Sequence, residues 1–186
     1  MSSSRFVAYD SLLAVENSDA YLNLVLPKAI DRARLATADA AFATELAYGS
    51  SRNQGFYDYI IEKTSGRSVS DIDRDVLCAL RLGVHQLLIL ETPAHAAIFE
   101  TVELVKKKIR QSASGFANAV LRKVSAKSFE QWLKVLDTEN FAEDEALSIG
   151  TLAFGDNYPV WVKRVVPATT VGQTLNDLSE LRVSFI

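Results

Sequence analysis

The residues of this chain best suited to chemistry are cations, and the chemistry they suit is the holding of phosphate. Arg74, Cys78, Arg81 and His85 recur at i, i+4, i+7 and i+11, which lays them along one face of a helix. Arg81 stands at the centre of that face, where its planar fork of donors can meet a phosphate backbone; a nearby carboxylate, Asp71, Asp73 or Asp75, is the competing partner. The stretch "ELVKKKIRQ" (103–111) adds Lys106, Lys107, Lys108 and Arg110 in the last turns of the next helix, where cations also complement the helix dipole. Arg122 and Lys123 follow on a third helix, and Arg5 opens the first. Brought to one side of a fold, these side chains make a surface for polyanion.

Two other residues stand beside the cations. On 94–110, His95, Phe99, Glu103, Lys106 and Arg110 share a stripe distinct from the apolar Ile98, Val102, Val105 and Ile109. Phe99 reads as peripheral core, with base stacking or a protein contact as the other use of an aromatic there. His95 lies in a first helical turn, which disfavours added positive charge, so no phosphate role is assigned to it. In "SGFANAVLRKVS" (114–125), Phe116, Ala117, Val120, Leu121 and Val124 form an apolar face, and Asn118 lies between it and Arg122-Lys123. Asn is a mediocre helix former, kept where its amide bonds to backbone.

Catalysis finds little to work with. The sequence holds no Gly-x-Gly-x-x-Gly, no phosphate-loop motif, no His-Glu-x-x-His and no Gly-x-Ser-x-Gly, and its eight glycines are scattered. Two histidines and one cysteine make a poor metal set. The helical context of Cys78 predicts a buried, inert thiol. One cysteine excludes a disulfide within the chain and fits a reducing compartment. The start Met-Ser-Ser-Ser-Arg lacks the cationic and apolar blocks of a signal peptide, and runs such as Leu87–Leu90 are far too short to span a bilayer, so cytoplasm is the expectation.

The elements that must position these residues are helices. Nearly every segment before residue 125 repeats its apolar residues with a 3.6-residue period, and the alternating Val/Ile/Thr runs that strands need are absent. The spacing predicts an all-α fold with helices at 5–16, 19–34, 37–54, 56–65, 71–91, 94–110 and 113–125. Ser18-Asp19 and Thr37 can cap the second and third, Gly55 and Gly66 can end the third and fourth, and Pro93 separates the two longest apolar helices. Gly49, inside an alanine-rich helix, predicts close approach by another backbone. With 186 residues, 48% hydrophobic and 23% charged, the chain supports one well-buried core plus an appendage. Charge is segregated: residues 1–125 hold 15 Lys/Arg against 14 Asp/Glu, net +1, and residues 126–186 hold 5 against 9, net −4. An overall acidic balance therefore does not argue against a local phosphate-binding patch. Beyond 125, helices are expected at 128–136, 143–154 and 158–166, and "RVSFI" at the end reads as the start of a strand.

Together, "DAAFATELAYGSSRNQ" (39–54), "VLCALRLGVHQLLIL" (76–90), "TPAHAAIFETVELVKK" (92–107) and "GFANAVLRKV" (115–124) resemble the NusB family of helical RNA-binding domains. The likeness is strongest to the branch fused to the N-terminus of small-subunit ribosomal RNA methyltransferase B, the RsmB/Sun/Fmu type. "YPVWVKR" (158–164) is similar to the helix that leads into that enzyme's catalytic half.

The resemblance implies a NusB-like antiparallel helical bundle of two sub-bundles, divided near residue 66, with an RNA-binding domain over 1–125 and a helical linker over 126–186 leading toward a methyltransferase domain. It implies an interface for ribosomal or other single-stranded RNA. Arg5 matches the N-terminal arginine, Arg81 the arginine of the Leu-Arg motif and Arg52 an arginine of the methyltransferase branch; Lys106, Lys107, Arg110 and Arg122 complete the set. Asn118 becomes the Asn of the family's Phe-x-Asn-x-Val-Leu motif, expected to satisfy backbone at a helix junction. Two positions depart from the family: His85 replaces an aromatic, and Ser112 replaces an acidic residue used in pairing with ribosomal protein NusE. The resemblance further implies that S-adenosylmethionine and two catalytic cysteines belong to a catalytic half, so that this chain is not itself an enzyme and needs no cofactor. A stand-alone antitermination factor, and a helical protein-interaction module that can form a homodimer, are the competing expectations.

Overall fold

The computed structural model describes residues 4–18 and 20–137. Among them the chain forms eight α-helices and no strand: α1 (Ser4–Asn17), α2 (Leu22–Ala33), α3 (Thr37–Arg52), α4 (Gln54–Ser65), α5 (Arg74–Leu88), α6 (Ala94–Lys108), α7 (Ser114–Val124) and α8 (Phe129–Asp137). The expected helices at 143–154 and 158–166 and the strand-like end lie outside the described residues.

Helix ends differ from the expectation where a side chain finds a better local partner. Ser18 does not cap α2; its hydroxyl donates to the Ala14 carbonyl (2.6 Å) and closes α1, so α2 begins only at Leu22. Thr37 is the first helical residue of α3, after Ala36, which has no group to cap with. Gly55 falls in the first turn of α4 because Asn53 makes the boundary. The Asn53 amide donates to the Gly49 carbonyl (3.1 Å), and its own carbonyl accepts from Tyr57 N–H (3.0 Å). Ser68 accepts from the Ser70 N–H and holds Val69–Asp71 as a 3-10 turn, which delays α5 to Arg74. Gly66 does end α4, at φ 70, a left-handed conformation that glycine adopts without penalty.

Helix α5 is the axle of the fold, packing against α1, α3, α4, α6 and α7. Twelve of its fifteen residues are buried, so on the basic face Arg74 stays exposed while Cys78, Arg81 and His85 are enclosed by neighbouring helices. The two sub-bundles divide at Asn53 and not near residue 66. Helices α1 to α3 pack on one another, whereas α4 buries Phe56, Tyr57, Ile60 and Ile61 in a group with α5 and α7. Helix α8 adds to the same core: Phe129 meets Phe56 edge-on at 5.5 Å, and buried Trp132 donates Nε1–H to the Val124 carbonyl (3.1 Å). The packed body therefore continues past residue 125 into the expected linker. No helix among the described residues is long and apolar enough to cross a membrane.

Candidate nucleic-acid interface

Arg81 is the first residue whose position differs from the expectation. It is 7% exposed, and its guanidinium is held from two sides. Nε and Nη2 each lie 2.7 Å from a different oxygen of Asp58 on α4, and Nη1 lies 2.7 Å from Glu16 on α1. Burial works against the charge of Arg81, but the hydrogen bonds and negative charge of Asp58, with Glu16, outweigh it and raise the pKa above the ordinary value. The same burial pushes the Asp58 carboxyl up, with Arg81 opposing. These donors are committed to tying α1, α4 and α5 together, which withdraws Arg81 from the phosphate role expected of it. The partners are also not the nearby Asp71, Asp73 or Asp75.

One turn further along α5, His85 is buried at the junction of α3, α4 and α5. Its Nδ1 is 2.7 Å from the Tyr57 hydroxyl, and its Nε2 is 3.4 Å from Glu45 Oε1. The nearby His85 ring is the main cause that lowers the Glu45 pKa. The ring also explains Gly49: a Cβ there would lie 2.2 Å from His85 Cε1, so the close neighbour is a side chain and not a backbone. His85 thus substitutes for the family's aromatic as a packed ring with polar ties. Cys78 is buried, and burial pushes its thiol up to about 12, which suits an inert core residue.

The remaining cations stand nearer the surface. Arg5 is half-buried: its Nε donates to Gln86 Oε1 (2.7 Å) and its guanidinium lies 5.0 Å from the Phe42 ring. Arg52 is exposed at the end of α3. Lys106 and Lys107 share Glu103, at 2.8 and 3.7 Å, and the Lys106 hydrogen bond is the main cause that lowers the Glu103 pKa. Lys108 reaches Asp10 (2.7 Å), and Arg110 pairs with Asp73, both partners about half-exposed. The Arg110–Asp73 pair, half-exposed on both sides, is worth about 0–1 kcal/mol, so an incoming phosphate can replace its carboxylate.

Between α6 and α7 runs an open groove of about 540 Å³, lined by His95, Ile98, Phe99, Val102, Asn118, Arg122 and Ser125. Phe99 is 62% exposed at its edge. Asn118 faces into the groove, and among the described residues its amide has no hydrogen-bond partner, which corrects the expected backbone-satisfying role. Arg122 is exposed, one turn further along the same helix, with no carboxylate partner among the described residues. Of the expected cations it alone faces this groove. Phe99 and Asn118 were the residues undervalued from sequence. The available signals were that Phe99 lies off the apolar stripe of α6 and that Asn118 stands at i, i+4 from Arg122.

Comparison with known proteins bears on this arrangement. Residues 2–126 match the NusB family. The chain belongs to the NusB family. Over 181 residues it is 36% identical to a Mycobacterium tuberculosis protein provisionally named a methyltransferase, covering 97% of this chain and 38% of that relative. Over 126 residues it is 34% identical to ribosomal RNA small subunit methyltransferase B of Pseudomonas putida, covering 68% of this chain and 28% of the relative. The chain thus spans well under half the length of these NusB-containing relatives. Among solved structures, a chain in the crystal structure of a plectonemic RNA supercoil is 25% identical with a TM-score of 0.62, covering 66% of this chain and 91% of that one.

Proposed function

We propose that this NusB domain docks single-stranded ribosomal RNA for an RsmB-like cytosine methyltransferase. The observation that carries the reading is the run of identity to ribosomal RNA small subunit methyltransferase B. It is supported by surface cations: Lys106 and Lys107 on the partly exposed Glu103, Arg110 on the half-exposed Asp73, and the exposed Arg52 and Arg122. Arg5 adds a half-buried guanidinium at the start of α1, while Arg81 has no part in the contact. Methyl transfer, with S-adenosylmethionine as donor, belongs in this reading to the part of such relatives that the chain does not match. The one cysteine supplies no nucleophile for it, since Cys78 is buried with its thiol raised.

The test is binding of the full chain to labelled single-stranded RNA over a range of salt. Contact with three to five phosphates gives log affinity a slope of about −2 to −3.5 against log salt, from roughly 0.7 per contact. Absence of binding at low salt, or binding indifferent to salt, overturns the reading.

A further inference from the structure

We propose that the groove between α6 and α7 is a pocket for one unstacked nucleobase, with Phe99 as the stacking surface, Asn118 reading the base edge and Arg122 holding the adjoining phosphate. The inference rests on the RNA-docking reading and deepens it, from a charged surface to a site that selects bases.

Three features of the groove point to this occupant. A phenylalanine that buries little of its own surface leaves a ring face free, and bases splayed from single strands are held by stacking on such faces. A partly buried amide with no partner among the described residues offers a donor and an acceptor side by side, which matches the paired groups on a base edge. The charge is also complementary to a nucleotide: among the described residues Arg122 is the one permanently charged lining residue, and no carboxylate lines the groove. Ile98 and Val102 make an apolar floor, and the volume of about 540 Å³ lies within the range of small-molecule pockets. The pocket also has an outlet for the strand. Lys106 and Lys107 follow Phe99 by seven and eight residues on the exposed side of α6, about 10 Å along the axis. That distance carries the backbone from the seated base to the next cations.

The experiment compares the full chain and three variants, Phe99→Ala, Asn118→Ala and Arg122→Ala, on fluorescently labelled single-stranded oligonucleotides. Base-specific sets and versions with one abasic position are included. Phe99→Ala is expected to lower affinity about 5- to 100-fold with the salt slope unchanged, because stacking carries no counterion release. An abasic position at the seated nucleotide should weaken the parent by a similar factor and leave Phe99→Ala indifferent. Asn118→Ala should narrow the preference among oligo(A), oligo(C) and oligo(U). Arg122→Ala should reduce the magnitude of the salt slope by about 0.7. Each variant is checked by its thermal transition, which the exposed positions Phe99 and Arg122 should leave nearly unchanged. If the parent binds RNA with the expected slope but Phe99→Ala and Asn118→Ala bind equally well, the groove serves a protein contact and the pocket inference falls while RNA docking stands. If the parent binds no RNA, both fall.

Discussion

Arg81 and Arg122 are the same residue type on neighbouring helices, and the fold uses them in opposite ways. Arg81 sits on α5, the helix surrounded by five others, so its charge is tolerable only with carboxylates built around it; Asp58 and Glu16 supply them from two separate helices. Arg122 sits on the outer side of α7, beside an exposed aromatic and an amide without a partner among the described residues. A cation whose charge is answered inside the molecule belongs to the fold. A cation whose charge is left unanswered, next to a ring and an open groove, is available to a ligand.

This contrast can be broken by removing each side in turn. Arg81→Ala leaves Asp58 and Glu16 without their shared partner and is expected to destabilise the fold by about 3–5 kcal/mol in denaturant titrations. The remaining folded fraction should keep its RNA salt slope. If RNA binding is lost while stability is kept, the contrast is wrong. The junction next to Arg81 is tested by Gly49→Ala, whose Cβ collides with the His85 ring held by Tyr57. Displacement of that ring should cost about 1–3 kcal/mol, read as a lower melting temperature.

Arg110→Ala tests the intermediate class, a cation with an exposed partner. Its stability change should stay within about 1 kcal/mol, whereas the RNA salt slope should shrink by about 0.7, read from affinity against salt. The smallest effect is a pH dependence. His85 first of all holds the Glu45 pKa below its ordinary value of 4.5, so the folded state binds fewer protons at Glu45 than the unfolded chain does. The stability this contributes is present above the ordinary value and is lost as pH falls through the lower folded value. Glu45→Gln should therefore flatten the fall of the melting temperature on acidification below about pH 4.5. An unchanged acid limb would remove Glu45 from the junction.

Much of the fold was legible in the sequence because helical periodicity is a local signal. The apolar spacing of Val76, Leu77, Leu80, Val84, Leu87 and Leu88 identifies α5 without knowledge of its neighbours, and Gly66 marks the end of α4 because a left-handed residue is needed there. The division of the sub-bundles was not legible. Tyr57 and Ile60 announce an apolar face on α4 but not which helix will cover it. The site was legible only as an inventory: Arg5, Arg52, Lys106, Lys107, Arg110 and Arg122 were recognised as cations, and their partners were not. Asp58 and Glu16 lie 23 and 65 residues from Arg81, far outside the one-turn window in which helix-local reasoning pairs charges.

By itself the sequence determined that this chain is helical, which faces of its helices are apolar, that it carries motifs of the NusB family, and which side chains bear charge. Those properties follow from residue type and from spacing within one helix. Only the tertiary structure decided which charges are spent inside and which face solvent, and that α6 and α7 set Phe99, Asn118 and Arg122 around one groove. The reason is that burial and pairing are properties of two or more elements at once, and the energy of a charge depends on what other helices bring to it.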